Sequence, residues 1–200
     1  MTADPVAGYS RAAGELARSY LAIDPAELYR PVAAWLPPMP ARLLDVGAGS
    51  GRDAAWFGAL GYAVTAVEPA GTLMEEGRRM RGGRDAFGVI EDRLPLLAEV
   101  TGQFDAITVT AVWHHLPPAQ RPEAMRTLAA HLRTGGVLIL SLRHGPIPVT
   151  RPGFETDPEE VRRDAEAAGL GLVAAFARHS VHAAGRQARV HWSWLVLVKF

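Results

Sequence analysis

Short apolar runs alternate with amphipathic segments along most of the chain, beginning at Ala41. The apolar runs predict seven strands, at residues 42–46, 62–67, 86–90, 104–110, 136–142, 170–178 and 189–199. The segments between them predict helices at 51–60, 71–81, 95–100 and 119–132, and one that starts at Asp157 with Pro158 in its first turn. Alternating strands and helices are typical of an α/β fold, in which helices cover both faces of a parallel sheet.

The alternation of strands and helices changes near both termini of the chain. Only residues 179–188 separate the last two predicted strands, which favours a hairpin and hence one antiparallel strand in the sheet. In residues 8–35, apolar positions at helical spacing are interrupted at Asp24 and Pro25, which predicts two short leading helices. A chain of 200 residues is enough for one α/β domain, so we expect a single domain over residues 1–200.

Composition and charge narrow the choice of partner. The 21 basic residues match the 21 acidic residues, so no global field attracts nucleic acid or an anionic membrane. The chain has no cysteine and no apolar stretch near the roughly 20 residues that span a bilayer. Its first residues lack the basic and apolar regions of a secretory signal. We therefore expect a cytoplasmic protein whose partner is a small molecule.

The segment LLDVGAGSG, residues 43–51, carries the strongest functional signal. A strand containing Asp45 is followed by glycine at every second position, Gly47, Gly49 and Gly51, and then at once by a predicted helix. Glycine leaves the backbone open to a closely approaching ligand. Glu68 ends the next predicted strand, where a carboxylate is placed to accept hydrogen bonds from a ribose.

Two ligand classes use this arrangement, dinucleotides and S-adenosylmethionine. The dinucleotide fingerprint G-x-G-x-x-G needs a third glycine where this chain has Arg52. Asp45 would repel a pyrophosphate, whereas it suits a ligand that carries an ammonium and a sulfonium. The residues therefore favour a cationic ligand without phosphate.

Further segments follow in order: Glu68 after the second strand, IEDRLP after the third, FDAITVTAVWHHLPP through the fourth and LRTGGVLILSLRHGP through the fifth. With them, residues 41–200 resemble the class I S-adenosylmethionine-dependent methyltransferases. The resemblance implies a doubly wound, seven-stranded, Rossmann-like sheet of order 3-2-1-4-5-7-6 with the seventh strand antiparallel. It also implies in-line methyl transfer from S-adenosylmethionine to a small-molecule acceptor, with S-adenosylhomocysteine as product.

The resemblance further implies a cofactor site. In it the glycine loop meets the methionine part, Asp45 orients the ammonium and Glu68 holds the ribose hydroxyls, while Asp92 or Glu91 meets the adenine amino group. The leading helices, residues 1–38 with Tyr9 and Tyr20, would form a lid over a catalytic core of residues 41–200. The predicted cofactor-binding residues are Tyr20, Asp45, Gly47, Ala48, Gly49, Ser50, Gly51, Glu68, Pro69, Glu91, Asp92, Arg93, Ala111 and Val112.

No side chain is obligatory for the chemistry. Methyl transfer mainly requires the nucleophile to be held in line, which is worth roughly 7–11 kcal/mol, and it needs a base only if a proton must leave early. Ligands of parallel sheets bind at the carboxyl ends of the strands. The catalytic candidates there are His114, His115, Arg143 and His144.

Several alternatives stay open at this point. The two adjacent histidines lack a third ligand nearby, so we predict no metal site. Trp192 and Trp194 are expected to pack the sheet against helices. Oxygen, nitrogen and carbon all remain open as the methylated atom. The rival functions are a binding module without turnover and an NAD-dependent oxidoreductase. The short leading helices leave the predicted cofactor cleft rather bare, so a second copy of the chain, forming a homodimer, or another partner would complete it.

Overall fold

A computed structural model describes residues 4–83 and 85–200. In these ranges the strands are β1 (Arg42–Val46), β2 (Ala63–Val67), β3 (Gly88–Ile90), β4 (Phe104–Val109), β5 (Leu132–His144), β6 (Leu170–His179) and β7 (His191–Lys199). The helices are α1 (Pro5–Arg11), α2 (Ala13–Leu21), α3 (Pro25–Tyr29), α4 (Arg52–Leu60), α5 (Gly71–Met80), α6 (Arg121–His131), α7 (Pro158–Ala167) and α8 (Ala183–Gln187). Three 3₁₀ turns accompany them, at Ala33–Trp35, Trp113–His115 and Pro118–Gln120.

The strands form one sheet in the order β3-β2-β1-β4-β5-β7-β6. Strands β1 to β5 pair in parallel, and β7 pairs antiparallel with both β5 and β6. This confirms the predicted fold class and strand order. The carboxyl ends of β1, β2, β4 and β5 therefore meet at one edge of the sheet, which is where an α/β sheet binds its ligands.

The predicted helix at residues 95–100 is wrong, because this segment folds as a series of turns. Leu94, Leu97 and Val100 are buried at a spacing of three, which imitates a helical pattern. The backbone follows another path because Leu97 has a φ of +48° and the Asp92 carboxylate accepts a hydrogen bond from the Glu99 backbone N–H. An Asp side chain that bonds to nearby backbone competes with helix formation.

Smaller differences between the predicted and the observed elements occur along the chain. Three leading helices replace the predicted two, since Asp4 caps α1 and Asp24 caps α3, each accepting a backbone N–H two residues on. The connection between β6 and β7 contains α8 rather than a simple turn. Strand β5 begins at Leu132, earlier than predicted, and β3 spans only Gly88–Ile90.

Each face of the sheet is covered by an apolar layer. One layer holds Leu44 of β1 with Met125 and Leu128 of α6, and the other holds Leu43 with Phe57 of α4. The ring of Trp194 is buried in the second layer, as predicted for packing, and its centroid lies 5.5 Å from that of Tyr29. None of the helices in the described part of the chain has the length and apolar character needed to cross a membrane.

A buried arginine joins the start of α6 to the loop before α7. Arg121 is 1% exposed and donates hydrogen bonds to the carbonyl oxygens of Leu116 (3.3 Å) and Glu155 (2.7 Å). It also forms an ion pair of 3.0 Å with Glu160. The side chain thus fixes the position of residues 145–157, which border the site described below.

We predict that Arg121→Leu lowers the free energy of unfolding by about 2–4 kcal/mol, because it leaves buried carbonyl oxygens and a carboxylate without their donor. Urea unfolding of the purified variant measures this loss. Arg126→Leu, on the exposed face of the same helix, is the matched control and should change the value little. Equal stabilities of the two variants would contradict this role of Arg121.

Candidate functional site

A cavity of about 750 Å³ lies at the carboxyl edge of the sheet. Its floor includes the glycine loop after β1, the end of β2 and the residues after β4. Its walls come from α1 and α2, from residues 148–154 and from residues 178–190. The sequence predicts a rather bare cleft. The structure instead shows a cleft that three segments of the chain itself border.

The three glycines of the loop share a backbone conformation that favours glycine, but their surroundings differ, and at Gly51 an added Cβ would lie 2.7 Å from the Arg81 guanidinium. The φ angles of Gly47, Gly49 and Gly51 are +71°, +59° and +71°, a region that side chains disfavour. A Cβ atom at Gly47 would overlap Cγ2 of Val112. A Cβ at Gly49 would lie 3.8 Å from side-chain atoms of Tyr20 and Leu73, which line the cavity. At Gly49 the backbone is thus open to a ligand.

Glu68 connects the end of β2 to this loop. Its side chain accepts hydrogen bonds from the backbone N–H of Gly49 and of Ala70, both at 2.7 Å, and the residue is 7% exposed. Burial raises the pKa of this carboxyl, while the two N–H donors act against that shift. Each carboxylate oxygen has a second lone pair, so Glu68 is able to accept two further hydrogen bonds from a ligand.

Asp45 lies beneath the loop and does not line the cavity itself. It is 2% exposed, and its Oδ1 accepts a hydrogen bond of 2.8 Å from Thr108. Its Oδ2 has no hydrogen-bond partner among the described residues. Burial, reinforced by the negative charge of Asp53, raises the pKa of Asp45 to about 7. The unpartnered oxygen is enclosed behind the loop, so it fits a cationic group of a ligand in the cavity through water rather than by direct contact.

This raised pKa predicts a pH dependence of stability. The folded protein holds the Asp45 proton more tightly than the unfolded chain, so the stability it contributes is complete below about pH 4 and is lost as pH rises through about 7. Asp45→Asn removes this titration. Relative to the variant, the parent should lose about 2–3 kcal/mol of unfolding free energy between about pH 5 and about pH 8.5. Parallel pH profiles in denaturant titrations would refute this prediction.

A polar cluster beside the loop was missed from the sequence. The Arg52 guanidinium donates to both oxygens of Asp53, at 2.6 and 2.8 Å. The buried Tyr29 hydroxyl donates to Asp53 at 3.2 Å and lies 2.9 Å from Oγ1 of Thr110. The cluster joins α3 and α4 to Thr110, the residue that follows β4. Asp53, in the first turn of the helix after the glycine loop, could have been noticed, whereas no local pattern indicates Tyr29.

At the end of β3 the structure separates the two candidate acids. Asp92 and Arg93 line the cavity, together with Pro69 from the end of β2. Glu91 does not line it, and its Oε2 lies 3.5 Å from where a Cβ of Gly71 would be. The Asp92 carboxylate already accepts the backbone N–H of Arg93 and of Glu99. Of the two acids, Asp92 is therefore the one that lines this cavity, whereas Glu91 lines a neighbouring cavity together with Glu68.

The chain leaves β4 through a strained residue. Ala111 has a φ of +60°, and its backbone N–H donates to Ser141 Oγ at 2.9 Å. This hydrogen bond holds the exit of β4 against β5. Ala111 and Val112 both line the cavity, on the side where Val112 contacts the glycine loop.

The two adjacent histidines have different surroundings. His115 Nδ1 lies 2.8 Å from the Pro152 carbonyl oxygen, which only accepts, so Nδ1 carries the proton. Burial lowers the pKa of His115, so the ring is neutral and Nε2 accepts the Tyr9 hydroxyl at 2.8 Å. Burial lowers the pKa of His114 further, and Nδ1 of that ring has no partner among the described residues. Both ring nitrogens of His115 are thus engaged, whereas His114 lines the cavity and its unpartnered Nδ1 is enclosed.

The candidates at the end of β5 point to opposite faces of the sheet. Arg143 lines the cavity. His144 does not, because its ring lies 2.9 Å from Ser193 Oγ and stacks on His191 with centroids 4.8 Å apart. Trp192, expected only to pack, also borders the cavity. Within residues 4–83 and 85–200, no group of three or more acidic or histidine side chains is arranged to hold a metal.

The leading helices are tied to the cavity walls by polar contacts. Arg151 donates to the Tyr20 hydroxyl at 2.9 Å, and its guanidinium lies 5.4 Å from the Tyr9 ring centroid. Ser19 Oγ lies 2.8 Å from Nε2 of His182, beside α8. Burial raises the pKa of both tyrosines, so both hydroxyls are neutral at pH 7.

Comparison with known proteins gives a consistent result. Residues 17–182 match the family model described as a methyltransferase domain. A ubiquinone biosynthesis O-methyltransferase of Xanthomonas axonopodis pv. citri is 36% identical over 113 residues, covering 55% of this chain and 46% of the relative. The chain spans about half the length of the curated relatives it matches.

Solved structures share the fold. A magnesium protoporphyrin IX methyltransferase from Synechocystis PCC 6803 with bound S-adenosylhomocysteine aligns with a TM-score of 0.72 at 15% identity, over 99% of this chain and 100% of the other. A Burkholderia thailandensis 1,6-didemethyltoxoflavin-N1-methyltransferase aligns with a TM-score of 0.61 at 23% identity, over 94% of this chain and 78% of the other. At these identities the likeness concerns the fold.

Proposed function

Since this chain belongs to the methyltransferase domain family, we propose that it transfers the methyl group of S-adenosylmethionine to a hydroxyl oxygen of a small molecule bound in the same cavity. The observation that carries the proposal is the open backbone at Gly49 beside the Glu68 carboxylate, with the unpartnered Asp45 Oδ2 beneath the loop. These groups suit a ligand with a ribose and a positive charge. The NAD-dependent alternative does not fit family membership.

In this proposal the residues around the loop divide the cofactor between them. Asp45 Oδ2 receives the ammonium through water, and the free lone pairs of Glu68 accept the ribose hydroxyls. Asp92 faces the adenine amino group. The remaining contacts come from residues that line the same cavity, which are Tyr20, Gly47, Ala48, Ser50, Pro69, Arg93, Ala111 and Val112, whereas Gly51 does not line it.

The leading helices act as a lid in the same proposal, over a core of residues 41–200. Support comes from polar contacts that join them to the far walls, Tyr9 to His115, Tyr20 to Arg151 and Glu27 to Arg178. A lid that excludes water strengthens the electrostatic interactions inside the cavity. Because the cavity walls come from one chain, the proposal requires no second copy to complete the site.

When bound, S-adenosylmethionine supplies an electrophilic methyl group on a positively charged sulfur. The chain's own contribution is to hold the methyl acceptor in line, a task for the residues after β4 and β5. His114 lines the cavity just past β4, where we assign its ring a hydrogen bond to the hydroxyl of the methyl acceptor. The lowered pKa of His114 makes it a weak base, so we assign it orientation of that hydroxyl rather than early removal of its proton.

Oxygen is favoured as the methylated atom because the curated relatives are O-methyltransferases by name. The test is formation of S-adenosylhomocysteine from S-adenosylmethionine that depends on an added hydroxylated aromatic compound. Matched amino compounds serve as controls for the choice of atom. Tight cofactor binding without turnover on any compound of such a panel would instead support a binding module.

A further inference from the structure

Two arginines in the cavity wall lack the carboxylate partner that the other cavity arginines have. Arg52, Arg93 and Arg178 pair with Asp53, Asp4 and Glu27, at 2.6, 3.2 and 3.1 Å. Arg143 and Arg151 form no such pair with any residue that the structure describes. Arg143 donates only to the Gly145 carbonyl oxygen, at 3.1 Å, and Arg151 to the Tyr20 hydroxyl.

These two unpaired charges act on each other. Burial lowers the pKa of the Arg143 guanidinium, and the positive charge of Arg151 lowers it further. Both arginines also contribute to the lowered pKa values of His114 and His115, which are therefore neutral neighbours. Partly buried like charges without a counter-ion are unfavourable, and an anion between them relieves the repulsion.

The acidic residues of the cavity do not supply that anion. Asp4 and Asp53 are paired with other arginines, while Glu68 and Asp92 accept backbone N–H groups of the loops on which they lie. The wall formed by Arg143 and Arg151 therefore carries a net positive charge, and the chain as a whole has none. A local excess of this kind points to a ligand rather than to a general surface field.

Aromatic side chains surround the same wall. Trp192 is the direct cross-strand neighbour of Arg143, so both side chains project from the same face of the sheet. The Trp192 ring lies 6.1 Å from the ring of His114, and Phe154 and Tyr9 also line the cavity. Flat apolar surface next to two guanidinium groups suits an aromatic ring that carries a carboxylate.

We propose that Arg143 and Arg151 bind the carboxylate of an aromatic methyl acceptor. The inference rests on the proposed function, since it places that acceptor in the cavity assigned to the cofactor. The cofactor's own carboxylate is the competing anion. Strand β4 separates β1 from β5 in the sheet, so Arg143 lies about 10 Å along the sheet from the strand that carries the glycine loop. That separation favours the methyl acceptor as the partner of Arg143.

The experiment compares 2-naphthoate with 2-naphthamide, two probes of the same shape that differ in charge. Calorimetric titrations use the full chain, with and without saturating S-adenosylhomocysteine. The parent should bind 2-naphthoate at least about tenfold more tightly than 2-naphthamide, as expected for one charge-assisted contact. Arg143→Gln and Arg151→Gln should each bring the ratio close to one, and Arg143→Lys should keep part of it.

Arg133→Gln is the matched control, because Arg133 lies at the opposite end of the same strand, far from the cavity. It should keep the parent's ratio, and the Arg143 and Arg133 variants should bind S-adenosylhomocysteine like the parent. No binding of 2-naphthoate, an equal affinity for both probes, or a ratio unchanged in Arg143→Gln would overturn the proposal. Loss of S-adenosylhomocysteine binding in Arg143→Gln would assign Arg143 to the cofactor's carboxylate and overturn it as well.

The two proposals fail in different ways. If the parent does not bind S-adenosylhomocysteine but still prefers 2-naphthoate in a manner that depends on Arg143, the proposed function fails and the anion site stands. If the parent binds S-adenosylhomocysteine and shows no preference between the probes, the cofactor assignment stands and the anion site fails.

Discussion

Glu68→Ala should weaken binding of S-adenosylhomocysteine about 100-fold or more. The side chain is proposed to accept both ribose hydroxyls, and hydrogen bonds to a charged group are each worth about 1.5–3 kcal/mol. Each 1.4 kcal/mol corresponds to about a tenfold change in the dissociation constant. The substitution also leaves the backbone N–H of Gly49 and of Ala70 without their acceptor, which loosens the glycine loop. Calorimetric titration measures the change.

Two further variants make this result specific. Glu68→Gln keeps the shape and removes the charge, so its affinity should fall between those of the parent and Glu68→Ala. Glu123→Ala, at an exposed position on α6 away from the cavity, should bind like the parent. A Glu68→Ala variant that is folded and binds within about threefold of the parent would remove Glu68 from the site.

Gly49→Val should abolish cofactor binding. The side chain would project toward Tyr20 and Leu73 into the space assigned to the cofactor, and a β-branched residue would have to adopt a φ of +59°. Binding of S-adenosylhomocysteine should fall below detection in a calorimetric titration of the folded variant.

Gly169→Val is the control that separates backbone strain from the filling of the cofactor's space in Gly49→Val. Gly169 has a φ of +80°, and nothing lies within 4 Å of its added Cβ. The Gly169→Val variant therefore has the backbone strain without any steric overlap. It should lose stability and keep its affinity for S-adenosylhomocysteine. If Gly49→Val bound as well as Gly169→Val, the cofactor would not approach the loop at Gly49.

Much of the fold follows from local sequence patterns. Strands β1, β2 and β4 match the prediction to within about one residue, because continuous apolar runs are required of strands buried on both faces. The sheet order came from the resemblance. The false helix at 95–100 shows the limit, since Leu94, Leu97 and Val100 are apolar at helical spacing but are held in turns by Asp92.

The site likewise has one part that local sequence patterns predict and another part that they do not. The glycine loop and Glu68 are adjacent in the fold because they follow neighbouring strands, which a sequence motif encodes directly. The contacts from Tyr9 to His115 and from Arg151 to Tyr20 join residues more than one hundred positions apart. No local pattern indicates such pairs.

The two candidates at the end of β5 differ in where the structure places them. Arg143 and His144 are neighbours on β5, and successive strand residues point to opposite faces of the sheet. Only one of them was able to face the cavity, and the structure places Arg143 there. The strand period therefore already argued against naming both as candidates.

The central claim is that the cavity at the glycine loop holds S-adenosylmethionine. It is tested most directly by calorimetric titration of the purified chain with S-adenosylhomocysteine, with NAD as the matched control. The account predicts a dissociation constant in the micromolar range or below for S-adenosylhomocysteine and no binding of NAD. Binding of NAD alone, or of neither compound, would contradict it.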